Sequence, residues 1–199
     1  MANIVGQKAP EFETTAVVNG EFKPFKLTDH KGKWVILFFY PLDFTFVCPT
    51  ELLALSQHYD EFKKLGAEVV GCSVDSKFSH LNWTRQEVAE GGIKGLRYPL
   101  IEDLGGKIAE MYNVLHGPVA LRAMFLIDPN GVVMHSTINN LAVGRSIQET
   151  MRTLQAFQFV AAHGDQVCPM DWTPGATTMG ASEKGKKEYF AKYEKVGAR

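Results

Sequence analysis

The stretch that decides the fold is WVILFFYPLDFTFVCPTEL, residues 34–52. Its first seven residues, 34–40, are continuously apolar, which is typical of a central β-strand covered on both faces. The stretch then passes through Pro41 to Cys48, which is followed by Pro49. Proline suits the first turn of a helix because it lacks an N–H group that would be unpaired there. The sequence therefore predicts a buried strand that leads into a helix beginning at or just before Cys48.

The chain around this stretch predicts a mixed α/β fold. Continuous apolar runs indicate buried strands, spacings of three and four indicate amphipathic helices, and Pro-Asn-Gly between two apolar runs indicates a hairpin. Elements alternating in this way favour a central mixed sheet with helices on both faces. The elements predicted after Cys48 are a helix to Gly66 with Leu52, Leu55, Tyr59 and Phe62 on one face, a strand at 67–74, a helix at 81–90, a hairpin of 123–128 with 132–138, and a helix from the Ser146–Glu149 capping box to about His163.

Composition is that of an ordinary globular protein and gives no sign of a nucleic-acid or membrane partner. The 199 residues are 22% charged and 45% hydrophobic, with a formal net charge of −1. No apolar run approaches the ~20 residues that a membrane-spanning helix needs, and the N-terminus does not resemble a signal peptide. These features predict a cytoplasmic protein. We expect a core domain over residues 1–163 and a C-terminal arm with a terminal helix over residues 164–199.

The chain has three cysteines, Cys48, Cys72 and Cys168. Their odd number argues against a structural disulfide framework, and neither they nor the six histidines show the spacing of metal ligands. We therefore expect no metal and no other cofactor. Cys72 lies within an apolar strand and is expected to be inert, because burial disfavours the thiolate and blocks access. Cys168 is either a second redox thiol or an ordinary loop thiol.

A cysteine at the start of a helix lies near unpaired backbone N–H groups and the positive end of the helix dipole, and both favour the thiolate. From these features alone, Cys48 is equally well a reactive thiolate or an inert residue that closes a strand. Thr45 is either a hydroxyl that bonds the sulfur or a substrate oxygen, or the N-cap of the helix. For a reactive thiolate the natural chemistry is redox, in which a sulfenic acid forms and a second thiol traps it as a disulfide.

Several segments, in order along the chain, resemble the typical two-cysteine peroxiredoxins, also called alkyl hydroperoxide reductase C-type proteins or thioredoxin peroxidases. FYPLDFTFVCPTEL resembles the peroxidatic signature of that family. The resemblance covers nearly the whole chain, and it implies a thioredoxin-like fold with a C-terminal arm. The other matching segments are SVDSKFSHLNW (73–83), RAMFLIDPNG (122–131), VGRSIQETMRTLQAFQF (143–159), GDQVCPMDWTPG (164–175) and KEYF (187–190).

The resemblance implies reduction of hydrogen peroxide and organic hydroperoxides through a Cys48 sulfenic acid. The sulfenic acid would form a disulfide with Cys168 of a second subunit in a homodimer, and such dimers commonly assemble into decameric rings. A thioredoxin-like or flavoprotein-linked reductant would recycle the disulfide. A holdase chaperone or redox-signalling scaffold on the same ring is the alternative function. The implied roles of the other residues are Pro41 shielding the pocket, Thr45 bonding the peroxide, Arg122 holding the thiolate and polarising the departing oxygen, Glu51 orienting the arginines, and Arg145 supporting them.

One segment departs from the family pattern. Family members that excess peroxide easily inactivates carry GGLG after the third helix and a C-terminal YF. Tyr189 and Phe190 match, but residues 91–94 read GGIK. Lys94 in place of glycine removes conformational freedom and adds a charge. Both motifs help to hold the helix wound around Cys48, so the departure predicts intermediate sensitivity to overoxidation.

Overall fold

The structure, a computed structural model, describes residues 3–196. The chain divides into two compact units between Ile147 and Gln148. The first unit carries Cys48 and the second carries Cys168. The division falls near the start of the last helix of the predicted core domain, whereas the sequence predicts the arm from residue 164. Residues 1–2 and 197–199, at the ends of the predicted core domain and arm, lie outside the described residues.

The apolar run at the start of the opening stretch forms the predicted strand. All six residues of this strand are buried, as expected when both faces of a sheet are covered. In chain order, the strands within the described residues are β1 Glu13–Val18, β2 Glu21–Lys26, β3 Trp34–Phe39, β4 Ala67–Ser73, β5 Leu100–Glu102, β6 Leu115–His116, β7 Val119–Ala120, β8 Arg122–Ile127, β9 Val133–Asn139, β10 Gln166–Val167 and β11 Met179–Gly180.

Seven of these strands form one mixed sheet in the order β2-β1-β5-β4-β3-β8-β9. Strand β3 pairs in parallel with β4 and antiparallel with β8, so it lies inside the sheet and not at an edge. Strands β8 and β9 form the predicted hairpin, with an irregularity in register between Leu126 and Ile127. The other four strands form two small antiparallel pairs, β6 with β7 and β10 with β11. The predicted central mixed sheet is therefore confirmed.

The helices within the described residues lie in both compact units. None of the helices in residues 3–196 is long and apolar enough to cross a bilayer. Short 3₁₀ turns occur at Leu27–His30 and Val88–Glu90. The helices are α1 Cys48–Gln57, α2 Tyr59–Lys64, α3 Lys77–Trp83, α4 Lys107–Met111, α5 Ile147–Ala162 and α6 Glu183–Val196.

Helices α1 and α2 stand in place of the single helix predicted between Cys48 and Gly66. The break falls at His58, whose φ of −92° and ψ of 10° leave the helical region. The predicted apolar face is otherwise present, because Leu52, Leu55 and Phe62 are all buried. Gly66 has a left-handed φ of 67°. Glycine adopts this conformation without steric cost, and the segment ends there as predicted.

The helix predicted at 81–90 is wrong. Helix α3 begins directly after Ser76, whose side chain accepts a backbone N–H and caps the first turn. The helix ends at Trp83, and the rest of the predicted segment contains only the 3₁₀ turn Val88–Glu90. The Trp83 indole N–H donates to the Gly91 carbonyl at 3.0 Å, which folds the chain back on α3. The Ser76 cap and the contact from Trp83 to Gly91 therefore set the bounds of α3, in place of the bounds that the apolar spacing predicts.

Candidate functional site

The turn from β3 into α1 places Cys48 near the sheet end at which the central strand finishes. Helix α1 begins at Cys48 with Pro49 in its first turn, so the predicted helix start is confirmed. The N-cap residue is Val47, and no side chain makes a capping hydrogen bond there. Cys48 is 0% exposed. The thiol thus lies buried at a helix N-terminus that lacks a side-chain cap.

A single carboxylate holds two arginines beside this thiol. Arg122 Nη1 lies 3.4 Å from Cys48 Sγ and donates to Glu51 Oε2 at 2.8 Å, while Arg122 Nε donates to the Leu141 carbonyl at 2.6 Å. Arg145 donates to Glu51 through Nε at 2.8 Å and Nη2 at 3.0 Å, and its backbone N–H donates at 2.8 Å. None of the three charged side chains is more than 5% exposed. The structure therefore brings together four of the predicted site residues, Cys48, Glu51, Arg122 and Arg145.

Arg145 is fixed from several directions. Its Nη1 donates to the Phe39 carbonyl at 2.8 Å and to the Ala123 carbonyl at 2.5 Å. Its guanidinium lies over the Phe38 ring at 4.0 Å from the centroid, a cation–π contact. Burial lowers the pKa of Arg145, and its hydrogen bonds with Glu51 act in the opposite direction. Because guanidinium groups stay protonated in proteins, Arg145 remains a buried cation held in one orientation.

Thr45 and Pro41 lie in the turn between β3 and α1. The Thr45 hydroxyl donates to the Leu42 carbonyl at 2.9 Å, and Val47 occupies the N-cap position, so the interpretation of Thr45 as an N-cap is wrong. With its proton engaged in this way, the Thr45 hydroxyl retains lone pairs that can accept a hydrogen bond from a substrate. Pro41 is buried and Thr45 is partly exposed.

Sequence reasoning missed a buried polar network beneath this turn. The Asp43 carboxylate accepts from Tyr40 Oη and Ser79 Oγ, each at 2.8 Å, and lies 2.8 Å from His80 Nδ1. The Asp43 backbone N–H donates to Asp75 Oδ2 at 2.9 Å. The network ties the turn to α3 and to the segment after β4. One signal was available, because an isolated acidic residue in an apolar stretch requires buried partners.

The other two cysteines lie in different surroundings. Cys72 on β4 is fully buried, and that burial raises the pKa of its thiol well above the usual value, as an inert thiol requires. Cys168 follows β10 in the second unit and is partly exposed, with Sγ 3.8 Å from the Ala156 carbonyl. Desolvation raises the pKa of Cys168, and the nearby Arg152 opposes this shift. Within residues 3–196, no group of three or more His, Cys, Asp or Glu side chains is placed to hold a metal ion.

The GGIK segment forms a compact loop after α3. Ile93 is fully buried, the Lys94 ammonium pairs with Glu87, and the Lys94 backbone N–H donates to the Gln86 carbonyl at 3.2 Å. The left-handed conformations fall on Gly91 and Gly95, with φ of 81° and 88°, and not on Lys94. A lysine therefore fits this backbone without steric strain.

The chain is similar to known proteins over nearly its full length. A model described as the AhpC/TSA family matches residues 5–136, and one described as the C-terminal domain of 1-Cys peroxiredoxin matches residues 156–192. The chain is 55% identical over 188 residues to the putative peroxiredoxin ycf42 of Porphyra purpurea, with 94% of each chain covered. It is 54% identical over 191 residues to the chloroplastic 2-Cys peroxiredoxin BAS1 of Arabidopsis thaliana, covering 94% of this chain and 72% of that protein.

A solved structure supports the same relationship. The reduced 2-Cys peroxiredoxin of Plasmodium vivax superposes with a TM-score of 0.92 at 44% identity, covering 96% of this chain and 100% of that chain. The predicted thioredoxin-like fold, with a central mixed sheet and flanking helices, is therefore confirmed.

Proposed function

Since the chain belongs to the AhpC/TSA family and is a peroxiredoxin, which is a thiol-dependent peroxidase, we propose that Cys48 is the thiol that reacts with peroxide. The observation that carries the proposal is the 3.4 Å contact between Arg122 Nη1 and Cys48 Sγ. A guanidinium at this distance can donate to the sulfur and can face the oxygen on which negative charge develops. Glu51 and the Leu141 carbonyl hold that guanidinium in place before any substrate arrives.

In the proposed reaction, the Cys48 thiolate attacks one oxygen of the peroxide and the O–O bond breaks. The sulfur takes up that oxygen as a sulfenic acid, and the other oxygen leaves with the bonding electron pair and is protonated to water or an alcohol. Arg122 stabilises the charge on the leaving oxygen. Thr45 Oγ1, whose proton is engaged by Leu42, accepts the peroxide O–H, and the buried Pro41 shields the sulfur from bulk water.

We propose that Cys168 of a second subunit then condenses with the sulfenic acid, which forms a disulfide and releases water. A thioredoxin-like or flavoprotein-linked dithiol returns both cysteines to thiols. Cys48 is fully buried, so the first turn of α1 must unwind before another thiol can reach it. The absence of a side-chain cap at Val47 supports this step, because an uncapped helix end opens more easily.

A homodimer follows from this resolving step, and β9 offers one surface for it. Strand β9 lies at an edge of the main sheet, and edge strands present backbone N–H and C=O groups that a second chain can pair with. The decameric ring, the domain boundary after residue 163, and the holdase or signalling alternative stay predictions. The cytoplasmic location also stays a prediction, since the relative from Arabidopsis thaliana is named as chloroplastic.

Peroxide consumption in the presence of thioredoxin, its reductase and NADPH tests the proposed function. We expect hydrogen peroxide to disappear at a rate proportional to the protein concentration, and consumption to stop after one equivalent when the reductant is omitted. Consumption no faster than that of the reductant system alone, both with thioredoxin and with dithiothreitol, would contradict the proposal.

The two proposed redox cysteines predict a covalent dimer. After one equivalent of hydrogen peroxide, the wild-type protein is expected to run as a dimer on a non-reducing gel, since each disulfide joins Cys48 of one chain to Cys168 of another. Either Cys48→Ser or Cys168→Ser should abolish this band, and Cys72→Ala should preserve it because Cys72 is buried on β4. An oxidised wild-type protein that stays monomeric on the gel would rule out the disulfide between subunits.

Lys94 predicts intermediate sensitivity to overoxidation. The variant Lys94→Gly changes the segment to GGIG, one residue from the family's GGLG, and is expected to raise the fraction of Cys48 converted to sulfinic acid about twofold at a given excess of peroxide, measured by mass spectrometry. Glu87→Gln serves as the control, because it breaks the ion pair with Lys94 and leaves the residue at position 94 unchanged. Complete sulfinylation of the wild-type protein at low peroxide excess would contradict the prediction.

A further inference from the structure

The segment that follows β9 contributes directly to the site around Cys48. We call residues 140–145 the arginine loop. Its Leu141 carbonyl accepts the hydrogen bond from Arg122 Nε, and its last residue, Arg145, binds Glu51 through both backbone and side chain. A Cβ atom built on Gly144 would lie 3.4 Å from Val47 Cγ1 and 3.5 Å from Glu51 Cγ, so the loop also contacts the first turn of α1. The path of this loop therefore sets the positions of both guanidinium groups.

Little hydrophobic burial holds the arginine loop in shape. Apart from the Arg145 side chain, which is buried, every residue in it is exposed or only partly buried, and Val143 is 64% exposed. A loop without buried apolar contacts depends on its hydrogen bonds for a defined conformation. The bonds that join the arginine loop to the rest of the sheet therefore add to the direct contacts of Arg145 in preorganising the arginines.

Asn139, the last residue of β9, makes two such bonds. Its Nδ2 donates to the Val143 carbonyl at 3.1 Å and to the Gly144 carbonyl at 3.2 Å. Both acceptors are carbonyl oxygens, so only the NH₂ side of the amide can face them, and the two N–H groups are both used. Asn139 is also the cross-strand partner of Arg122 in the pairing of β8 with β9. One residue thus links the strand position of Arg122 to the loop that carries Arg145.

We propose that Asn139 is a positioning residue for peroxide reduction, acting through the arginine loop on Arg122 and Arg145 without touching the substrate. The inference rests on the roles proposed above for those two arginines. Loss of the two hydrogen bonds would let the loop sample other conformations, and the donors aimed at the leaving oxygen would lose their preorganisation. Reaction with peroxide would slow, whereas recycling of the disulfide would not.

The test is the second-order rate constant for hydrogen peroxide, measured by stopped-flow tryptophan fluorescence on the full chain. We expect Asn139→Ala to lower this constant about tenfold. Asn139→Asp has almost the same shape but sets a carboxylate oxygen against two carbonyl oxygens. It should therefore lower the rate constant at least as much as Asn139→Ala does. Asn82→Ala, on the exposed side of α3, is the matched control and should stay within about twofold of wild type.

Two further measurements distinguish positioning from a general structural role. In a Cys168→Ser background, the rate of Cys48 alkylation by iodoacetamide, measured at a pH at which it has reached its plateau, should change less than about twofold, because that reaction breaks no O–O bond and needs no donor at a leaving oxygen. The kcat/KM of the Asn139→Ala variant for thioredoxin should equal that of the wild-type protein. Parallel losses in alkylation and peroxide reduction would overturn the inference, as would a wild-type peroxide rate in Asn139→Asp.

The proposed function can fail separately. If the wild-type protein itself reacts slowly with peroxide, both the roles of the arginines and the inference built on them are overturned. If the wild-type protein reacts rapidly and Asn139→Ala reacts equally fast, only the positioning role of Asn139 is overturned.

Discussion

Replacement of Cys48 by serine is expected to lower the rate of peroxide reduction by at least about 10³-fold, because a serine hydroxyl stays protonated and forms no sulfenic acid. The substitution nearly preserves the side-chain volume, so the contacts among Arg122, Glu51 and Arg145 remain available to hold the first turn of α1. Peroxide loss in the thioredoxin-coupled assay measures the effect. Thermal unfolding should show that the variant is folded.

The control for this variant is Cys72→Ala, which removes the buried thiol on β4. We expect it to keep the peroxide rate within a few fold of wild type while lowering stability by about 1 kcal/mol, since a small buried side chain is truncated. If Cys48→Ser retained more than a few per cent of the wild-type rate, the reactive sulfur would have to be Cys72 or Cys168, and the proposed role of Cys48 would be wrong.

Arg122→Lys is expected to lower the second-order rate constant for peroxide by about 10²–10³-fold. A lysine keeps the positive charge but has a single nitrogen, so it cannot contact Cys48 Sγ, Glu51 and the Leu141 carbonyl together as the guanidinium does. The loss should therefore reflect geometry and not net charge. Stopped-flow measurement of the peroxide reaction, alongside thermal unfolding, separates the rate from stability.

The Arg122→Lys variant should remain folded, because Arg145 still binds Glu51 through three N–H groups. The cost of leaving the Leu141 carbonyl without its partner is about 1–3 kcal/mol. Arg97→Lys is the matched control: Arg97 makes a two-bond contact with Asp60 on the exposed surface, at 2.9 and 2.6 Å, and its replacement should change the rate by less than twofold. A near-normal peroxide rate in Arg122→Lys would show that charge alone is sufficient.

The parts of the fold that could be predicted from the sequence are those that neighbouring residues decide. The apolar run 34–40, the Cys48–Pro49 helix start and the left-handed Gly66 each depend on local physics, and each is found in the structure. The helix at 81–90 failed because the Ser76 cap moved the helix towards the N-terminus. Apolar spacing does not show which of several candidate caps is used.

The site was predictable to a different degree at each residue. Cys48 stands out by its place at a helix start, whereas Arg122 and Arg145 lie 74 and 94 residues from their partners in the sequence, so only the family resemblance pointed to them. That Glu51 serves both arginines, and that Asn139 supports the loop between them, depends on strand register and loop path. Neither can be derived from spacing along the chain.

The sharing of one carboxylate between two guanidinium groups leaves the buried cluster with one cation in excess. In the proposed mechanism Cys48 reacts as a thiolate, which supplies the missing anion and makes the reduced site electrically neutral. A sulfenic acid is uncharged, and the first chemical step therefore creates an unmatched positive charge in a medium of low dielectric constant, which is unfavourable. Admission of water by unwinding of the first turn of α1 relieves that imbalance. In the proposed mechanism, oxidation of the sulfur itself thus shifts the equilibrium of the helix towards the open form that a second thiol needs.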